Sequence, residues 1–278
     1  MQTVLKIFRM NKLKKGNTYD AIFISDIHYL VDVKMKMNSH SELFALLDEL
    51  EEKNVIFRSV FLVGDIIENW FFSSQRKIKK TAELKRLHKL FDRFDKIAAP
   101  GGEKIYIIGN HDSTSYRLRL PSRIRAFLED RKWQIMEKFE TPNMIVVHGH
   151  QGQYGAFIWT LNVFLTRVIH TLAHLIPGIL YLGETFFRKY INYDREESHE
   201  SVIRFYASLS ARLHQGDRIL ICGHTHQFLG SSTMRVINTG DWIDSRSFVV
   251  QEEDVYTGYQ YIREGKIKER YRIKLSEI

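Results

Sequence analysis

Seven side chains suited to holding metal stand just after short apolar runs: Asp26, His28, Asp65, Asn110, His148, His224 and His226. The last two close the segment Ile219-Leu-Ile-Cys-Gly-His224-Thr-His226. Strand side chains alternate, so residues two apart leave on the same side. Neutral imidazoles placed that way are donors for divalent ions. Carboxylate, amide and imidazole together suit Mn²⁺, Fe or Zn²⁺ better than Ca²⁺, which prefers all-oxygen cages. Seven donors exceed what one tetrahedral ion needs and fit two ions sharing a bridge, with Asp65 after Gly64 as the natural bridging carboxylate. Paired ions about 3.5–4 Å apart activate water and neutralise charge on an attacked phosphate. Mn²⁺ is the first expectation for the metal.

Each donor must be positioned by the element before it. Residues 21–25, 60–63, 104–108, 144–147 and 219–222 read as buried strands ending at these polar residues. Between them, Ser39-His-Ser-Glu42 resembles a capping box and opens a helix with Leu43, Leu46, Leu47 and Leu50 on one face. A basic helix is expected over 75–98, with Leu84, Leu87, Phe91 and Phe94 at helical spacing, stopped by Pro100-Gly-Gly102. Pro121 opens another helix that reaches about Asp130. The C-terminal part reads as β-rich, with strands over 233–238 and 248–251 and a hairpin around Glu264-Gly265. Strands alternating with helices predict an α/β layered fold, with ligands beyond the carboxyl ends of the strands.

Composition bounds the rest. Of 278 residues, 44% are hydrophobic and 27% charged, ordinary for a globular protein. The single cysteine, Cys222, excludes an intramolecular disulfide and fits a reducing compartment. The basic N-terminus lacks a signal-peptide pattern, so a cytoplasmic location is expected. A net charge of +8 favours an anionic partner: a phosphate, a nucleic acid or an acidic lipid surface.

With these residues in view, the chain resembles the calcineurin-like metallophosphoesterases. Their ordered motifs stand here as Asp26-Ile27-His28, Gly64-Asp65, Gly109-Asn110-His111-Asp112, His148-Gly149 and Gly223-His224-Thr225-His226. The resemblance implies a four-layer αββα sandwich. It assigns Asp26, His28, Asp65 and His226 to one ion and Asp65, Asn110, His148 and His224 to the other. It also implies that His111 assists the leaving oxygen and that Asp112 orients its imidazole. A narrower resemblance is to UDP-2,3-diacylglucosamine pyrophosphohydrolases, through Gly64-Asp-Ile-Ile-Glu68-Asn69-Trp70. It implies substrate contacts at Glu68, Asn69, Trp70 and His150. Those enzymes usually carry Arg at the place of His111 and Asp at the place of His150. The first departure moves this chain toward the general phosphoesterase pattern.

A single domain over 1–278 is expected, with residues 151–215 as a hydrophobic helical insertion, or lid. Phe157, Leu161, Phe164, Val168, Leu172 and Leu175 recur at helical spacing, Pro177-Gly178 breaks the helix, and Ile179 begins another. Arg167, Glu184, Pro177-Gly178, His170 and His174 interrupt or dilute the apolar run, which argues against a membrane span. An amphipathic pair over the site or at a membrane interface fits better, with Phe157, Leu161 and Phe164 meeting acyl chains, the alternative being a pair that buries its apolar face against the core or a second subunit. Arg188, Lys189, Arg195 and Arg204 would then meet phosphates. The expected substrate is a phosphorylated or nucleotide-linked lipid. A nuclease or other phosphodiesterase ranks lower, because few base-stacking aromatics interleave with the basic residues outside the insertion. A non-catalytic scaffold ranks lower still, because every motif residue is present.

Overall fold

The structure, a computed structural model, describes residues 13–29, 40–69, 80–113, 119–152, 164, 199–263 and 266–277. Its architecture follows from strands that are apolar on both faces. In β1 (Thr18–Ile24), Ile22 and Ile24 turn one way and Ala21 and Phe23 the other. In β2 (Ile56–Val63), Val60 and Leu62 oppose Phe61 and Val63 in the same manner. A strand with two apolar faces must be covered on both.

Cover on one side comes from α1 (His40–Glu52), α2 (Lys80–Ile97) and α3 (Ser122–Asp130). Leu43, Leu46, Leu47 and Leu50 of α1 join Leu87, Leu90, Phe91 and Phe94 of α2 and Ile124, Phe127 and Leu128 of α3 in one core layer. The other side is covered by a second sheet, whose Val146, Ile219, Ile221 and Ile237 pack on Ala21, Phe23, Phe61 and Val63. The far face of that sheet, with Ile145, Val147, Leu220 and Val236, lies under Tyr206 and Leu209 of α4 (His199–Arg212). Helices, sheet, sheet and helix make the four-layer αββα sandwich.

The other strands are β3 (Ala98–Ile107), β4 (Gln134–Met136), β5 (Lys138–Glu140), β6 (Met144–Val147), β7 (Ile219–Cys222), β8 (Phe228–Ser231), β9 (Val236–Thr239), β10 (Ser247–Glu252), β11 (Val255–Arg263) and β12 (Lys266–Lys274). The first sheet runs β12-β11-β10-β1-β2-β3-β4 and the second β5-β6-β7-β9-β8. β1, β2, β3 and β4 are mutually parallel, as are β6, β7 and β9.

Two expectations change. Pro100-Gly-Gly102 does not separate helix from strand: α2 ends at Ile97 and β3 begins at Ala98. The pairing passes from Phe57–Ala98 to Ser59–Glu103, so the Pro-Gly segment is absorbed in a bulge. The strand expected over 233–238 is a turn followed by β9, and its partner β8 begins at Phe228. The short strands β4 and β5 carried no readable periodicity. Ser39 of the capping box and most of the insertion lie outside the described residues. No helix among the described residues is long and apolar enough to cross a membrane.

Candidate metal centre

The parallel strands of both sheets end at one place, and the candidate ligands follow those ends. Asp26 and His28 come after β1, Asp65 after β2, Asn110 and His111 after β3, His148 after β6, and His224 and His226 after β7. Asp26, His28, Asp65, His224 and His226 all have positive φ, between 48° and 71°. Non-glycine residues adopt this region at a cost, and it is held where the surroundings dictate it. Here it turns the chain sharply off each strand, so that side chains gather over the sheet ends. Gly64, with φ of 84°, shares the geometry, and a Cβ there would overlap the His148 ring. Gly223 is needed for closeness instead, since a Cβ would meet the Asp26 carboxylate.

Two donor sets result, with a third grouping between them. Asp26, His28 and His226 can each offer one atom, all within 4.8 Å of one another, Asp65, His148 and His224 do the same, and so do His28, Asp65 and His111 where the two sets meet. Asn110 joins the second set, with Oδ1 3.1 Å from His148 Nε2, whose distance to Asp65 Oδ2 is 3.0 Å. His148 Nδ1 donates to the Val63 carbonyl at 3.0 Å, which leaves Nε2 facing two acceptor oxygens. Only a proton on Nε2 or a cation among the three atoms reconciles that arrangement. In the first set, Asp26 Oδ1 is buried and accepts no hydrogen bond of good geometry, although His226 Nε2 lies 3.2 Å away and His28 Nε2 4.0 Å away. Buried oxygen and nitrogen donors converging this closely fit a divalent ion.

The charges are matched accordingly. Burial works against the ionised forms, but His226 and His148 hold the Asp26 carboxyl below its usual range, and His148 and His111 hold Asp65 well below it. Burial would likewise neutralise His148 and His226, yet Asp65 and Asp26 raise the first, and chiefly Asp26 the second, each to about 9. Burial beside His148 pushes His224 well down and His150 to about 3, so both are neutral rings at pH 7.

Three residues have different work from that expected of them. Asp112 does not face the His111 imidazole. Its carboxylate accepts from Ile67 N at 2.8 Å, Tyr106 Oη at 2.7 Å, Asp65 N at 2.9 Å and Gly109 N at 2.7 Å, which fills its capacity. It therefore staples the loop after β2 to the loop after β3. Glu68, expected at the substrate, is only 1% exposed. Its Oε2 lies 2.7 Å from His111 Nδ1 and 3.0 Å from His28 Nδ1, so it is the carboxylate that orients both rings. Asn69 is also turned inward, donating through Nδ2 to the Asp112 carbonyl at 2.6 Å.

His150 opens a short 3-10 turn, its ring 5.5 Å from that of His148 and 6.2 Å from that of His224. Phe164 is helical and 61% exposed, and Arg204 is exposed on α4. Trp70, Phe157, Leu161, Arg188, Lys189 and Arg195 lie outside the described residues. Sequence reading missed the scaffold after β9. Ser25 Oγ bonds Thr239 Oγ1 at 2.6 Å and the Gly240 carbonyl at 2.9 Å, and Trp242 N donates to the Asp26 carbonyl at 3.1 Å. A signal was present: Val236-Ile-Asn-Thr-Gly-Asp241 ends in Gly-Asp, as does the segment that ends at Asp65.

Comparison with protein families now decides the class, because the calcineurin-like phosphoesterase profile matches residues 20–228. The chain belongs to the calcineurin-like phosphoesterases. Comparison with curated proteins gives no match. The family match runs from β1 to the first residue of β8 and so includes both donor sets, Glu68 and His111. Membership and the Asp/His clusters together make this a phosphoester hydrolase with a divalent-metal site.

Proposed function

We propose that the protein is a two-metal pyrophosphate hydrolase acting on a nucleotide-linked lipid, UDP-2,3-diacylglucosamine or a chemical relative. The convergence of two donor sets beside a histidine already held by a carboxylate carries the reaction type. Asp26, His28, Asp65 and His226 would hold one ion, and Asp65, Asn110, His148 and His224 the other, with Mn²⁺ the first choice. When bound, the ions supply an activated water and neutralise charge on the attacked phosphoryl group.

The remaining steps belong to the chain. Glu68 Oε2 accepts the hydrogen bond from His111 Nδ1–H, which leaves Nε2 as the ring atom that can pass a proton to the leaving oxygen. Burial favours the neutral ring, but Glu68 and Asp65 outweigh it and raise the His111 pKa, which favours the protonated form. Glu68 also fixes the His28 tautomer, with Nδ1 inward and Nε2 toward Asp26.

The lipid substrate is supported by the segment 64–70 and by the apolar spacing of Phe157, Leu161 and Phe164. In this reading, residues 1–278 form one catalytic domain, the insertion over 151–215 receives the acyl chains, and the protein works in the cytoplasm at the inner face of a membrane. Incubation with UDP-2,3-diacylglucosamine and Mn²⁺ should release UMP and an acylated sugar phosphate, with Asp65→Ala inactive. Activity surviving in Asp65→Ala would sink the two-metal mechanism. Polar replacement of Phe157, Leu161 and Phe164 should impair the acylated substrate while sparing a small chromogenic phosphodiester. Equal loss on both would remove the lipid.

A further inference from the structure

The turn that carries His224 and His226 is strained, with φ of 71° and 56° at its two histidines, and something must hold it. Thr225 lies between them, and its hydroxyl is the handle. Thr225 Oγ1 lies 3.1 Å from Tyr206 Oη, and Asn238 Nδ2 is 3.0 Å from Thr225 Oγ1, 2.9 Å from Tyr206 Oη and 2.7 Å from the Gly223 carbonyl. The Asn238 amide is itself oriented, because its Oδ1 accepts from Gly240 N at 2.8 Å. Tyr206 is 1% exposed and sits in α4, where the neighbouring Phe205 packs on Gly152 and lies 6.5 Å from the His224 ring.

We propose that Tyr206 is a positioning residue of the metal centre: through Thr225 and Asn238, its hydroxyl fixes the turn that aims His224 and His226 at their ions. The inference rests on the metal-centre reading above and adds to it a residue from α4. The closing helix of the segment set aside for substrate is thereby joined to the core chemistry. Tyrosine supplies what phenylalanine lacks at this place, a hydroxyl that accepts from Asn238 and can donate to Thr225. Packing alone would not need it.

The test is Co²⁺ titration of the full chain, followed by isothermal calorimetry and by the visible absorption of the bound ion. Tyr206→Phe keeps the ring and its volume, and Thr225→Val removes the other hydroxyl if the first variant does not fold. Each should weaken Co²⁺ binding by about 10- to 100-fold, the range seen when partners of metal ligands are removed. Each should also shift the absorption bands, and the double variant should lose little more than either single one. A folded variant with wild-type affinity and spectrum, whatever its Tm, overturns the inference alone. A wild-type chain that takes up no Co²⁺ overturns the metal-centre reading and this inference with it.

Discussion

His148 and His226, each with a pKa of about 9, must lose protons before they can bind an ion. Metal binding at pH 7 should therefore release protons, which calorimetry in two buffers of different ionisation enthalpy would detect. Because both folded values lie above the ordinary 6.5, their contribution to stability is complete below about pH 6.5 and is lost as pH rises through 9. The chelated protein should lose stability over that interval while its metal affinity grows, and parallel trends would contradict the assignment. Glu68→Gln should lower kcat by about 100-fold on substrates with poor leaving groups and much less on a nitrophenyl ester, since the latter needs little acid assistance. Asp112→Ala strands three backbone N–H groups and the Tyr106 hydroxyl, and should cost at least about 3 kcal/mol in a denaturant titration. Each of these residues was visible in the sequence. Their division of labour was not, because Glu68 and Asp112 both stand near the motifs, and only the fold decides which carboxylate meets which imidazole.

Among the elements, legibility followed length and periodicity. The amphipathic stretches of α1, α2 and α3 were readable from one-sided leucine and phenylalanine spacing, and the central strands from unbroken apolar runs. Short or bulged strands were not, since three residues give no period and a bulge hides one. The edge strand β12 carries its own instruction. Lys266, Lys268, Arg270, Arg272 and Lys274 are all exposed along it. Charge on an unpaired edge blocks pairing with another chain. Replacing Lys266, Lys268 and Arg270 by threonine should raise the apparent mass in light scattering while leaving hydrolysis intact. An unchanged mass at the same concentration would show that the charge has another purpose.

For the whole molecule, the two sheets matter as a pair. His148 reaches from the second sheet to the Val63 carbonyl in the first, and His224 N donates to Asp26 Oδ2 at 3.0 Å. The proposed ligand sets draw on both sheets in the same way. An ion shared by Asp65 and His148 would then be a rivet as well as a reagent: it would clamp two sheets that otherwise adhere through apolar side chains and a few hydrogen bonds at their ends. Hydrogen exchange should show the consequence. With metal bound, the amides of β2 and β6 should open together as one unit, whereas chelation should let the five-stranded sheet exchange ahead of the seven-stranded one.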